Sequence, residues 1–170
     1  MSKSIHVLLL AAVLSAGCVQ KKAERFTALP FPDITLPSMI DNQKDAAEYY
    51  ALHFWDNMTD PQRTYPSDSL LVSGVRKADV EQKFASWLSI LDHVDLKTSE
   101  KAVKGLYDKA LVCEKKDSAS NVFETFEDFA DKYMYDPNSP MRNEEYYLHY
   151  ASRLATYEGC LLYTSPSPRD

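Results

Sequence analysis

The sequence predicts an all-α fold, a compact bundle of about five amphipathic helices preceded by a signal peptide and an extended, proline-containing tether. Apolar side chains recur at helical spacing in separate stretches, and none of these could keep its apolar face in water alone. No stretch shows persuasive strand alternation, and there is no internal repeat or low-complexity block. The links between the helical stretches are short enough for a compact bundle.

In the first helical stretch Ala47, Tyr50, Ala51, Phe54 and Met58 share a face, with Trp55 beside them. Asp41 or Asn42 supplies its N-cap, and Asp60-Pro61 ends it. A polar loop follows with Pro61 and Pro66, and Leu70-Leu71-Val72 before Gly74 reads as a short buried turn or helical stub. Asp79 opens the second helix, with Gln82 at the capping-box position and a stripe of Val80, Phe84, Trp87, Leu88 and Leu91. Thr98 or Ser99 starts the third. Its stripe is Val103, Leu106, Tyr107 and Ala110, weakened by Gly105, and Lys115 and Lys116 suit its C-terminal end.

Ser118 or Ser120 starts the fourth helix, whose apolar face is Val122, Phe123, Phe126, Phe129, Ala130 and Tyr133. Its acidic face, Glu124, Glu127, Asp128 and Asp131, is more readily a solvated surface than a dock for a basic partner. Asn143 caps the fifth helix, Glu144 and Glu145 occupy its first turn, and Tyr147, Tyr150, Ala151 and Leu154 form its stripe. Between the last two helices, Pro137 pushes Asp136 out of helical geometry. Ser139-Pro140 has the chemistry of an N-cap followed by a first helical residue. Arg142 can reach the carboxylates or carbonyls around it. The 133–147 stretch is therefore expected to be a rigid corner between two aromatic faces.

The chain has 170 residues and a net charge of −6, which argues for a soluble acidic domain and against a nucleic-acid partner. Lys3, the apolar run of residues 7–14 and the small residues before Cys18 read as a secretory signal at residues 1–17. Cys18 makes it similar to a bacterial lipoprotein signal, in which such a cysteine carries the lipid, although Ser15 stands where the usual leucine would be. The expected partner is then the membrane, through a lipid anchor, and the expected location is the periplasm-facing cell envelope. Val19 follows Cys18 in place of the aspartate of inner-membrane lipoproteins, so the outer membrane is preferred by analogy. Residues 18–40 are expected to be the tether and 41–159 the helical domain. Residues 160–170 resemble a translated library adaptor, which would make Cys160 no biological thiol and place the end of the natural frame near Gly159.

Little in the residues suggests catalysis. His53 and Asp56 lie three apart, and Glu145 and His149 four apart, spacings that can put two ligands on one face. Two ligands do not make a metal site, and packed histidines are the more ordinary outcome, so no metal, cofactor or catalytic residue is assigned. Cys113 reads as a buried structural cysteine. There is no Cys-x-x-Cys, nucleophile elbow or phosphate-cradling glycine loop. Eleven tyrosines are more than a small core usually absorbs, so some are expected either to line a groove or to form the core's periphery.

Two strings are more distinctive, Phe129-Ala130-Asp131-Lys132-Tyr133-Met134-Tyr135-Asp136-Pro137-Asn138-Ser139-Pro140-Met141-Arg142-Asn143-Glu144-Glu145 and Tyr50-Ala51-Leu52-His53-Phe54-Trp55-Asp56-Asn57. Together with Phe31-Pro32-Asp33-Ile34, they closely resemble a helical domain of unknown function from exported bacterial thioredoxin-like proteins. Those proteins are typically lipoproteins of Gram-negative gut anaerobes. The resemblance runs over most of residues 31–156, and it marks His53, Trp55, Asp56, Asp136, Asn138, Arg142, Asn143 and Glu145 as its binding or structural signature. It implies a non-catalytic module ahead of a thioredoxin-like domain bearing Cys-x-x-Cys, and a partner that is either an exported protein or that second domain. No redox residue carries over, because no position here matches the redox motif. The alternatives are a stand-alone binding or scaffold lipoprotein with a tyrosine-lined groove and, more weakly, a metal-dependent enzyme using His53, Asp56 or His149.

Overall fold

The computed structural model describes residues 26–65 and 70–164. The expected signal peptide, Cys18, the first part of the tether, Pro66 and the last residues of the adaptor-like tail lie outside the described residues. Five helices follow in order: α1 (Gln43–His53), α2 (Lys77–Leu91), α3 (Leu96–Lys116), α4 (Val122–Phe129) and α5 (Glu144–Thr164). A π-helical segment, Ala130–Tyr135, continues α4, and a small antiparallel hairpin of β1 (Leu71–Val72) and β2 (Val75–Arg76) precedes α2. α3 is the hub, packing against α1, α4 and α5. α5 runs as helical backbone to Thr164, across the boundary expected at residue 160.

The stripes expected for α2 and α3 lie in the core, whereas those of the first and fifth helices are only partly buried, with Ala47, Tyr50, Phe54, Tyr147, Ala151 and Leu154 at intermediate exposure. Val80, Phe84, Trp87, Leu88 and Leu91 of α2 are all buried, as are Val103, Leu106, Tyr107 and Ala110 of α3. Burying such faces is the main driving force of the fold, worth about 1.5–3 kcal/mol per large side chain. At the centre, the Trp55 ring meets Phe126 at 4.8 Å, Trp87 at 6.0 Å and Phe84 at 6.2 Å. Trp87 donates its indole N–H to the Ala51 carbonyl at 2.9 Å, tying α2 to α1.

Several local expectations are corrected. Leu71 and Val72 form a strand rather than a helical stub. Ser73 (φ 47°) and Gly74 (φ 79°) both take positive φ, as a two-residue hairpin turn of the primed type requires. α2 starts at Lys77 because β2 runs straight into it, and Asp79 is engaged by Arg76 at 2.8 and 3.0 Å instead of capping. α3 starts at Leu96, capped by Asp95, which accepts from the Thr98 N–H at 3.0 Å. α1 closes at His53, and turns carry Trp55 and Met58 into the core before Asp60 is reached. Ser120 lies just ahead of α4, accepting from the Val122 N–H at 3.4 Å, while Asn121 occupies the cap position. Asn42 and Asn143 cap α1 and α5 as expected, accepting from the Asp45 N–H at 2.8 Å and the Tyr146 N–H at 3.2 Å.

Residues 26–40 lie against the helical body. The Leu29 N–H donates to the Gly74 carbonyl at 2.8 Å, and Leu29 bridges Val75 in parallel. The Phe31 ring sits 5.7 Å from Trp55 and 5.9 Å from Phe54, with the Lys83 ammonium 4.9 Å from its face. Asp33 pairs with Lys83 at 2.5 Å and accepts through its carbonyl from Asn57 at 2.9 Å.

Candidate functional site

Two regions hold the side chains singled out in the sequence. The first is the corner between α4 and α5. The π segment closes with the Asp136 N–H on the Asp131 carbonyl at 2.9 Å. Asp136 is then extended (φ −52°, ψ 124°), as the following proline demands. Its carboxylate accepts from the Asn138 N–H at 2.8 Å and the Asn138 side chain at 3.1 Å. Ser139 does not cap a helix. Its hydroxyl donates to the Tyr133 carbonyl at 2.6 Å and accepts from the Met141 N–H at 3.2 Å. The Asn143 N–H reaches back to the Met134 carbonyl at 3.0 Å, and Arg142 pairs with Glu144 at 2.5 Å. Glu145 is exposed at the start of α5.

The tyrosines of this region form a ladder from surface to core. Tyr135, 54% exposed, stacks on Tyr147 at 4.6 Å; Tyr147 meets Tyr150 at 5.4 Å, and Tyr150 meets Tyr107 at 4.6 Å. Each inner hydroxyl is spent within the fold: Tyr147 on Asp131 at 3.1 Å, Tyr150 on Glu127 at 2.8 Å, and Tyr107 on the Phe126 carbonyl at 2.9 Å. Burial, then the hydrogen bond to Glu127, pushes the Tyr150 phenol well above its ordinary range. Lys77 takes up Asp128 at 2.8 Å, so most of the acidic face of α4 is satisfied internally. This is the periphery of a core, with Tyr135 as its wet end.

The second region lies across α1, α3 and α5. His53 Nδ1 stands 2.7 Å from Asp56, and Lys109 pairs with the other carboxylate oxygen. Burial opposes ionisation of Asp56, but the hydrogen bonds from Lys109 and His53, with their charges, hold its carboxyl below the usual range. The His53 ring packs on Tyr49 at 4.5 Å. His149 does not pair with Glu145; it faces Glu100 of α3 at 3.2 Å. Trp55, 2% exposed, belongs to the core and offers nothing to a ligand. Among the described residues no three His, Cys, Asp or Glu side chains converge as a metal ion would need. Cys113 donates to the Thr59 carbonyl at 3.4 Å, and burial, helped by the charge of Asp60, pushes its thiol up. That disfavours the thiolate on which cysteine chemistry depends.

One feature of this region escaped the sequence reading. Leu52 and His53, α3 from Lys97 to Lys109, and Arg153 enclose an open groove of about 610 Å³. Lys97, Lys101, Lys104, Lys109 and Arg153 line it, against Glu100 and Asp108. The spacing of Lys97, Lys101 and Lys104, which puts all three on one helical face, was the available signal. A second groove of about 600 Å³, between α1 and the end of α2, is lined by Ala46, Ala47, Tyr50 and Ile90 with polar residues at its rim.

Residues 15–160 match the family described as a domain of unknown function, DUF5106. The chain belongs to this family. The DUF5106 domain is also similar in structure to a thioredoxin-like protein from Bacteroides caccae, at 32% sequence identity and a TM-score of 0.58. The similarity covers 76% of this chain but only 42% of that one. No curated protein matches.

Proposed function

We propose that this DUF5106 domain is the non-catalytic helical module of a larger, lipid-anchored thioredoxin-like protein of the cell envelope, positioning a partner or substrate for a redox domain that follows it in the chain. The observation that carries this reading is the partial overlap with the B. caccae protein, less than half of whose length the chain spans. The chemistry is consistent with it: the thiol of Cys113 is half-buried and burial pushes its pKa up, so the thiol chemistry would belong elsewhere. Cys18 would carry the lipid and hold the domain at the periplasmic face, with the outer membrane preferred.

The test is the complete gene, where a Cys-x-x-Cys within a βαβ pattern is expected downstream of the helical domain. A frame that closes shortly after this point overturns the reading in favour of a stand-alone scaffold. For the anchor, Cys18→Ala is expected to release the protein from the membrane fraction, and unchanged membrane association would refute lipidation.

A further inference from the structure

The groove along α3 differs from the rest of the surface in how its charges are used. Its carboxylates are already taken, Glu100 by His149 at 3.2 Å and Asp108 by Arg153 at 2.8 Å. Lys109 is spent on Asp56. Lys97, Lys101 and Lys104 have no carboxylate partner among the described residues. Three uncompensated ammonium groups in one concavity, on a protein of net charge −6, make a local field opposite in sign to the whole.

Shape narrows the ligand. Lys97 and Lys104 are separated by about 10 Å of helix rise, too far for one small anion to meet both directly. A flat lipid surface cannot follow a concave wall. An extended peptide can: its alternate side chains point one way at intervals of about 7 Å, against rises of roughly 6 Å from Lys97 to Lys101 and roughly 4.5 Å from Lys101 to Lys104, a difference that long, flexible lysine side chains span. Leu52 and the aliphatic stems of the lysines give the backbone and the intervening side chains an apolar bed. Gly105 lies in the lining, and among the described residues no atom beyond its chain neighbours and its own helix backbone comes within 4 Å of where its side chain would start.

We propose that this groove docks an extended acidic segment of a partner protein, with carboxylates at alternate positions meeting Lys97, Lys101 and Lys104. The inference goes beyond the module reading and stands on the groove alone. The peptide assay contains no redox partner, so its failure leaves the thioredoxin association standing, and a gene without a redox domain leaves peptide binding standing.

The experiment is fluorescence anisotropy on the full chain, with a dye-labelled peptide of about eight residues alternating Glu and Thr, and its Gln-for-Glu counterpart. The acidic peptide is expected to bind, more weakly as salt rises, and the Gln peptide to bind negligibly. Combining Lys97→Gln, Lys101→Gln and Lys104→Gln should weaken binding about tenfold or more. The pair Lys115→Gln and Lys116→Gln should leave it unchanged. An unchanged far-ultraviolet spectrum verifies that the exposed triple variant is folded. Equal binding of the two peptides, or indifference to the triple substitution, overturns the proposal. So does capture by phosphatidylglycerol vesicles through the same lysines without peptide binding, which would make the face a membrane contact.

Discussion

The α4–α5 corner and the α3 groove are built from similar materials and treat them in opposite ways. Both place charged residues beside rings or apolar stems. In the corner, Asp131, Glu127, Asp136, Ser139 and the inner tyrosines are joined to one another, and little is left to offer a partner. In the groove, the carboxylates are engaged by His149 and Arg153 while Lys97, Lys101 and Lys104 have no carboxylate partner among the described residues. The most distinctive stretch of the sequence is thus the most internally satisfied, and the plainer lysine stripe has binding capacity to spare. A conspicuous motif can mark a demanding piece of architecture as readily as a site.

The contrast can be broken most forcefully at the core beneath the corner. Phe126 is fully buried against Trp55, Phe84 and Phe129, so Phe126→Ala is expected to cost about 4 kcal/mol in urea unfolding. A loss below about 1 kcal/mol would show that the aromatic cluster is not the core it is taken for.

Next is the satisfied hydroxyl of Tyr150. Tyr150→Phe should cost about 1 kcal/mol at neutral pH. Because burial and Glu127 raise the folded pKa, Tyr150 contributes stability that is intact below the unfolded value and is lost as pH rises beyond about 10. Unfolding of the parent chain should therefore become easier above that pH, and the Phe variant should show a shallower decline. Parallel alkaline limbs would remove Tyr150 from the account.

In the groove the same logic predicts a gain. A Cβ at Gly105 meets no other element's atoms within 4 Å among the described residues, so Gly105→Ala should stabilise α3 by up to about 1 kcal/mol, read as a higher thermal midpoint. Destabilisation would mean that the groove floor is more crowded than its geometry indicates.

The smallest effect concerns Asp56, which is more than a third exposed, so solvent screening limits Asp56→Asn to about 0.5 kcal/mol at neutral pH. Its folded pKa is depressed, so its contribution is present above the unfolded value near 4 and fades as pH falls through the folded one. Urea titrations of parent and variant should differ at pH 7 and converge as pH falls below the folded pKa of Asp56. A difference that persists in acid would assign the effect to packing.

Much of the helical architecture was legible because burial imposes a period. Val80 through Leu91 and Val103 through Ala110 declare their helices by spacing alone, and Asn42 and Asn143 declare their caps by chemistry. The hairpin was not legible, since two-residue strands are too short to alternate and Leu71-Val72 looks the same buried in a turn or a strand. Nor was the π segment, because widening a turn at Ala130–Tyr135 changes the register of the hydrogen bonds without changing the amino-acid types it uses. His53 and Asp56 could be paired from spacing, but Lys109, which completes the cluster, lies 53 residues from Asp56. The groove required knowing that α1 and α5 flank α3; the lysine stripe alone could not say whether it faced a wall or open water.

The stitching of residues 26–40 to the body has a mechanical consequence. A pull applied on the N-terminal side of Phe26 does not arrive first at α1. It meets the Leu29 contact to Gly74, then the Phe31 ring wedged beside Trp55, then the Asp33 clasp to Lys83 and Asn57. Tension is thereby shared among the hairpin, α2 and the aromatic centre before α1 is loaded.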